Sequence, residues 1–108
     1  MFSIDEKTNV IRLTRGDYAM FSISILTADG DPYELQEGDT VRFTVKKNTK
    51  SNIPLIQKEG TVIEILHDDT KDLKYGTYTY DCELTHANGQ PDTFIEPTEF
   101  ELTPEVTW

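Results

Sequence analysis

The sequence predicts an all-β chain folded as a single antiparallel β-sandwich of about seven short strands. Three features carry that expectation. Apolar and polar residues alternate strictly through several segments. The alternation is clearest over residues 76–84, where Tyr78, Tyr80, Cys82 and Leu84 alternate with Thr79, Asp81 and Glu83. Clusters of Gly, Pro, Asn and Asp recur between these segments, as turns between short strands require. No segment keeps an apolar period of 3.6 over the length of a helix. Residues 1–108 are read as one domain, long enough to bury a core without disulfide or metal staples.

Taken in order, residues 1–9 are mixed and polar and read as a loosely attached start. Residues 10–14 form a first strand that ends at Arg15-Gly16-Asp17. Arg-Gly-Asp is a known adhesion signal, but it falls where a turn is needed, with Gly16 supplying the backbone freedom and Asp17 an acceptor. Residues 18–26 read as a second strand with Ala19, Phe21, Ile23 and Ile25 inward. Met20 and Leu26 lie on its other face, to be covered by an end loop. Ala28-Asp29-Gly30-Asp31-Pro32 breaks the strand, and Tyr33 and Leu35 are expected to pin the loop that follows.

Residues 40–47 form the third strand, with Val41, Phe43 and Val45 inward. The loop 46–52 holds Lys46, Lys47 and Lys50 and is the cationic patch of the chain. Residues 53–58 read as a short edge strand, because Pro54 has no N–H for a ladder. Residues 61–66 follow after Gly60, apolar on both faces and ambiguous in register. Residues 67–74 read as a short helical turn. The 76–84 strand leads through an Asn88-Gly89 turn to a last strand interrupted at Pro97, with Phe100 and Leu102 inward. The expected core is Phe21, Ile23, Ile25, Val41, Phe43, Val45, Ile63, Ile65, Tyr78, Tyr80, Cys82, Leu84, Phe100 and Leu102.

The net charge of −10 argues against nonspecific attraction to nucleic acid or to anionic membranes. One cysteine, Cys82, excludes an intrachain disulfide and fits a reducing compartment. The start of the chain lacks the basic-then-apolar order of a signal peptide, and no apolar run is long enough for a transmembrane helix. Synthesis in the cytoplasm is expected.

Candidate chemistry is sparse. His67, Asp68 and Asp69 lack the ligand spacing of a zinc site. Asp29, Asp31 and Glu34 form the one oxygen-rich loop with any claim to calcium, without the order of an EF-hand. Cys82, flanked by Asp81 and Glu83 and facing inward, has the setting of a packing residue rather than a nucleophile. No nucleophile elbow, phosphate-cradling glycine loop or dinucleotide fingerprint occurs, so no enzyme and no cofactor is expected. Tyr18, Tyr33, Tyr75, Tyr78, Tyr80 and Trp108 invite a stacking role. Their acidic setting excludes nucleic acid and leaves a carbohydrate platform as the alternative to core packing.

Tyr80-Asp81-Cys82 resembles the tyrosine corner of immunoglobulin-like sandwiches, in which a Tyr two residues before a Cys bonds back across a corner. A wider likeness runs through Ile11-Arg12-Leu13-Thr14-Arg15-Gly16-Asp17, Phe21-Ser22-Ile23, Tyr33-Glu34-Leu35, the run from Gly38-Asp39-Thr40 to Phe43-Thr44-Val45, and Gly76-Thr77-Tyr78. In that order these segments resemble the immunoglobulin-like N-terminal domain of the phage baseplate upper protein family of Gram-positive phages. The resemblance implies an immunoglobulin-like sandwich and a non-enzymatic structural part of a tail, baseplate or prophage-encoded particle. It would act by docking to another phage structural protein or to a host protein. Its docking candidates are Ile53, Leu55 and Gln57 on the 53–58 edge, with the 29–39 loop second. The alternative function is an acidic mimic of nucleic acid that occupies the basic cleft of a host protein.

Overall fold

The computed structural model describes residues 2–27 and 29–105; Ala28 of the expected turn and Trp108 of the aromatic set lie outside the described residues. In chain order the elements are β1 (Phe2–Ile4), β2 (Ile11–Thr14), β3 (Ala19–Ser22), β4 (Thr40–Lys46), β5 (Pro54–Glu59), β6 (Val62–Ile65), α1 (His67–Thr70), β7 (Gly76–Thr85) and β8 (Pro91–Thr103). They form a six-stranded sheet in the order β1-β2-β8-β7-β4-β5 and a two-stranded sheet, β3-β6. The two-sheet all-β architecture expected from the alternation is present. Neighbouring strands run antiparallel except β2 and β8, which are parallel, with Ile11 opposite Phe100 and Thr14 opposite Thr103.

Period 2 places the core. In β4 the residues Val41, Phe43 and Val45 are buried, while Thr40 and Arg42 are exposed. In β7 the residues Tyr80, Cys82 and Leu84 are buried across from them, with Phe43 opposite Cys82 and Val45 opposite Tyr80. Phe43 is the hub, with its ring 5.2 Å from Tyr80, 5.8 Å from Phe21 and 6.4 Å from Phe100. Such offset and edge-on ring pairs add to the area that the side chains bury. The ambiguous register of β6 resolves through its pairing with β3. Phe21 stands opposite Ile63 and Ala19 opposite Ile65, so Ile63 and Ile65 are buried and Val62 is left outside. Phe21 and Tyr78 are half-buried rather than fully enclosed, and Ile11, Leu13 and Ile56 join the core.

Several expectations are corrected. The segment from Phe2 is not loosely attached: β1 pairs with β2, and Phe2 stacks on Phe21 at 4.8 Å. The connecting turn is held by the Asp5 carboxylate, which accepts from the N–H groups of Lys7 and Thr8, and by a positive φ at Asn9. The second strand stops at Ser22, because Ile23 and Ile25 turn their backbone groups to Thr61 and Tyr33. Met20, Leu26 and Leu35 remain exposed; among the described residues no end loop covers the first two, and Leu35 does not pin its loop. The last strand runs through Pro97 unbroken. Thr98 faces Tyr80 and Ile95 faces Cys82, so a bulge at Glu96-Pro97 absorbs one extra residue, and Thr93 faces Glu83, so a second irregularity at Phe94 absorbs another. Proline is tolerated there because β2 reaches β8 only from Phe100 onward, which leaves that side without a ladder.

The corner is also relocated. The Tyr78 hydroxyl, not that of Tyr80, donates four residues back, to the Lys74 carbonyl at 2.7 Å. Tyr80 lies two residues deeper in β7, between Phe43 and Phe100, and its hydroxyl donates instead to the Asn9 carbonyl of the β1–β2 turn.

Candidate docking site

β5 is the terminal strand of the large sheet, so one of its sides has no neighbour among the described residues. The three docking candidates fall along it unequally. Ile53 precedes the strand and is 70% exposed. Leu55 enters a groove of about 430 Å³ shared with Lys47, Lys74, Tyr75 and Tyr78. Gln57 lies level with Thr44 of β4, and its amide nitrogen reaches the Thr44 hydroxyl at 3.4 Å. Ile56 is buried on the inner face, which ties the edge to the core. Pro54, the register shift at Val45/Lys46 and the ion pair of Lys58 with Asp69 at 2.8 Å are devices that keep an edge from pairing indiscriminately.

A second open edge escaped the sequence reading. β8 is paired on both sides only from Phe100 to Thr103; between Pro91 and Glu99 its partner is β7 alone. The open side borders a cleft of about 520 Å³ lined by Ile4, Phe21, Ile23, Leu26, Phe94 and Ile95. The missing signal was strand order, which alternation within a strand does not carry.

The two edges differ in charge. Residues 40–60 hold Arg42, Lys46, Lys47, Lys50 and Lys58 against Glu59 alone. Residues 76–105 hold Asp81, Glu83, Asp92, Glu96, Glu99, Glu101 and Glu105 and no lysine or arginine. Some of this charge is matched within the sheet, by the pairs Arg12–Glu101 at 3.2 Å and Arg42–Glu59 at 2.9 Å.

The remaining candidates resolve into structural roles. Asp29, Asp31 and Glu34 are not gathered; among the described residues no three His, Cys, Asp or Glu side chains group to hold a metal. The carboxylate with a built environment in this region is Asp39, whose side chain is 2% exposed. It accepts from the Gln36 N–H and the Tyr33 hydroxyl, each at 2.8 Å, and His86 lies 3.8 Å away. The Gln36 N–H first, then the Tyr33 hydroxyl and the His86 ring, hold its pKa below the ordinary carboxylate value. His67 contacts the Gly16 carbonyl through Nδ1, Asp68 pairs with Lys71, and Asp69 accepts from the Leu66 N–H and pairs with Lys58. Cys82 is buried, and burial, then the Asp81 charge, push its thiol up to about 12. The Arg-Gly-Asp triplet forms a turn whose arginine is engaged: Arg15 donates to the Leu73 carbonyl, the Tyr75 hydroxyl and Glu105. Of the aromatic set, Tyr18 donates to Glu64 at 2.6 Å, and Tyr33 packs beside Ile25, Val41 and Leu84.

The described residues contain no helix long and apolar enough to cross a membrane. Comparison with family models, with curated proteins and with solved structures finds no match to the chain.

Proposed function

We propose that this chain is a non-enzymatic structural module that works by protein–protein docking through its open sheet edges. The observation that carries the reading is β5, a terminal strand that offers backbone groups beside a groove holding Leu55, Lys47 and Tyr75. An incoming strand gains main-chain hydrogen bonds from such an edge and specificity from the adjoining groove. The ordered likeness of the Ile11–Thr14 strand, the Val41-Arg42-Phe43-Thr44-Val45 run and Gly76-Thr77-Tyr78 to the baseplate upper protein family supports an immunoglobulin-like sandwich in a phage or prophage tail or baseplate. In that setting the partner is another phage structural protein or a host protein. The engaged histidines and the high thiol pKa of Cys82 favour this reading over an enzyme.

Mass spectrometry of particles purified after prophage induction tests the setting: the chain is expected in them, and its absence removes the virion role. Hydrogen exchange tests the site. Amides of residues 54–59 should slow when the partner binds, and unchanged exchange in a stable complex overturns docking at β5.

The carboxylate run of residues 76–105 favours a second reading, an acidic mimic of nucleic acid. Against it, Arg12 and Arg42 are interleaved with those carboxylates on the sheet. A mimic should displace DNA from a host nuclease at low salt and lose the effect at high salt.

A further inference from the structure

We infer that the segment docking on the β5 edge is an extended acidic one, with an apolar side chain set between its carboxylates. The inference rests on the docking reading above and names the chemistry of the partner. Charge, groove shape and the free backbone groups of β5 converge on it.

The charge is that of lysines which the fold itself does not use. Of the ten lysines and arginines, Arg12, Arg15, Arg42, Lys58 and Lys71 pair with carboxylates. Among the described residues Lys7, Lys46, Lys47, Lys50 and Lys74 make no ion pair, in a chain whose acidic residues outnumber its basic ones by 20 to 10. All of these but Lys7 surround the start of β5. Lys46 stands opposite Pro54, Lys47 and Lys74 line the groove that Leu55 enters, and Lys50 lies in the loop leading to the strand. Lys46 partly offsets the burial and the Glu83 charge that raise the Asp81 pKa, so the recognition set is Lys47, Lys50 and Lys74. Asp72, the one carboxylate lining the groove, lies within the field of Arg15. Such a patch attracts an acidic partner and rejects a basic one.

The groove is held in shape from behind. Arg15 donates to the Leu73 carbonyl at 3.1 Å and lies 4.2 Å over the Tyr75 ring. The Tyr78 hydroxyl donates to the Lys74 carbonyl at 2.7 Å. These contacts fix the wall formed by residues 73–75, while Leu55 and Tyr75 keep exposed apolar surface on the groove. A preorganised apolar groove beside lysines suits one apolar side chain flanked by carboxylates.

The backbone supplies the rest. The Gly60 N–H donates to the Val41 carbonyl at 2.9 Å, so antiparallel alternation spends the backbone groups of Ile56 and Lys58 on β4. Those of Gln57 and Glu59 turn outward. Pro54, Leu55, Gln57 and Glu59 are exposed along the strand, and no described strand lies beyond them. Glu59, the one carboxylate of residues 40–60, is paired with Arg42 at the end of β5 away from the lysines. An added strand is therefore neutral beside Gln57 and Glu59, and acidic where it passes Pro54 and reaches the groove.

Synthetic peptides of about eight residues test this on the purified full chain, read by fluorescence anisotropy and amide hydrogen exchange. Each has an alternating valine and threonine half, then a leucine flanked by glutamates, by glutamines or by lysines. At about 50 mM salt the glutamate peptide should bind about tenfold more tightly than the glutamine one, with the lysine peptide weakest. The advantage should shrink at about 0.5 M salt. In the complex the Gln57 and Glu59 amides should slow. Lys47→Glu/Lys74→Glu alters two exposed side chains, and circular dichroism should show it folded. It should bind the glutamate peptide about tenfold less tightly, whereas Lys7→Glu should bind as wild type does. The inference is overturned if the glutamate peptide fails to bind at about 1 mM, binds no better than the glutamine one, or binds Lys47→Glu/Lys74→Glu equally well. Binding without protection at β5 overturns it too, as does equal affinity for a single-stranded oligonucleotide, which would assign the lysines to phosphate. Protection of Gln57 and Glu59 by the glutamine or lysine peptide would leave docking at β5 standing without an acidic partner. Exchange unchanged by all three peptides would remove both.

Discussion

The guanidinium of Arg15 lies 4.2 Å over the ring of Tyr75, while its Nη2 sits 2.6 Å from the Glu105 carboxylate. One side chain thus ties the turn after β2, the approach to β7 and the segment beyond β8. The hydrogen bond with Glu105, ahead of the charge attraction, raises the Arg15 pKa, and the same bond holds Glu105 below its ordinary value. Arg15→Lys keeps the charge but loses the planar fork that stacks on Tyr75 and reaches two acceptors at once. A lower melting temperature than wild type is expected for Arg15→Lys, and a similar one for Arg15→Ala. A lysine variant as stable as wild type would show that charge alone holds this junction.

The two tyrosine hydroxyls at the start of β7 should separate by depth. Tyr80→Phe leaves the Asn9 carbonyl without its donor inside a part-buried site, at a cost of about 1–3 kcal/mol. Tyr78→Phe removes an exposed bond to Lys74, which water replaces, at a cost of about 0.5–1 kcal/mol. Urea unfolding of both variants checks the order, and a larger loss at Tyr78 would return the weight to the corner.

The alternation that announced β4 and β7 was legible because each strand has one wet and one dry face, and Phe43, Tyr80 and Cys82 fall where period 2 puts them. β5 was legible for a different reason, since a proline inside an apolar run is compatible only with an edge or a strand start. What stayed hidden was non-local. Nothing near Ile11 indicates that it will lie parallel to Phe100, and without that pairing the open half of β8 cannot be seen. Depth was hidden as well: Tyr78 and Tyr80 share a face, and only the packing of Phe43 and Phe100 decides which of them reaches the corner. The opposed charges of residues 40–60 and 76–105 stood in plain view. They acquired meaning once the sheet order set the β4–β5 hairpin and β8 on opposite sides of β7.

Cys82 should be silent in the native chain. Its side chain is wholly buried opposite Phe43, and its thiol titrates near 12. At pH 8 almost no thiolate exists to attack an alkylating reagent. Labelling by iodoacetamide should therefore proceed only as fast as the protein opens, and should become rapid in denaturant. Fast labelling of folded protein would mean that β7 opens locally from β4.

Phe43 meets Phe21, Tyr80 and Phe100 and has no exposed surface, so it joins the two sheets. Phe43→Ala should cost about 3–5 kcal/mol through lost burial and a residual cavity, and Phe43→Leu substantially less. Equilibrium denaturation measures both. Similar losses for the two would mean that ring geometry matters more than volume.

Asp39 sets the acid limb of stability in the loop that leads into β4. Its carboxylate is bonded by the Gln36 N–H, the Tyr33 hydroxyl and the Ala87 N–H, so its folded pKa lies below the unfolded one. The sign follows from linkage. A depressed carboxylate contributes fully above its unfolded pKa, near 4, and the contribution is lost as pH falls through the lower folded value. The same loop approaches the β7–β8 turn so closely that a Cβ on Gly38, at φ +89°, would lie 2.7 Å from the Ala87 Cβ. Ordering of this junction thus depends on a small residue and a charged one side by side. Melting temperature followed from pH 7 to pH 2 should fall more gently below about pH 4 in Asp39→Asn than in wild type, because the variant has no such proton to bind. Asp39→Asn should start lower at pH 7, where the amide accepts less strongly from Tyr33 and Gln36. Parallel curves for the two proteins would show that the acid limb belongs to other carboxylates, Asp5 and Glu105 being the next with depressed values.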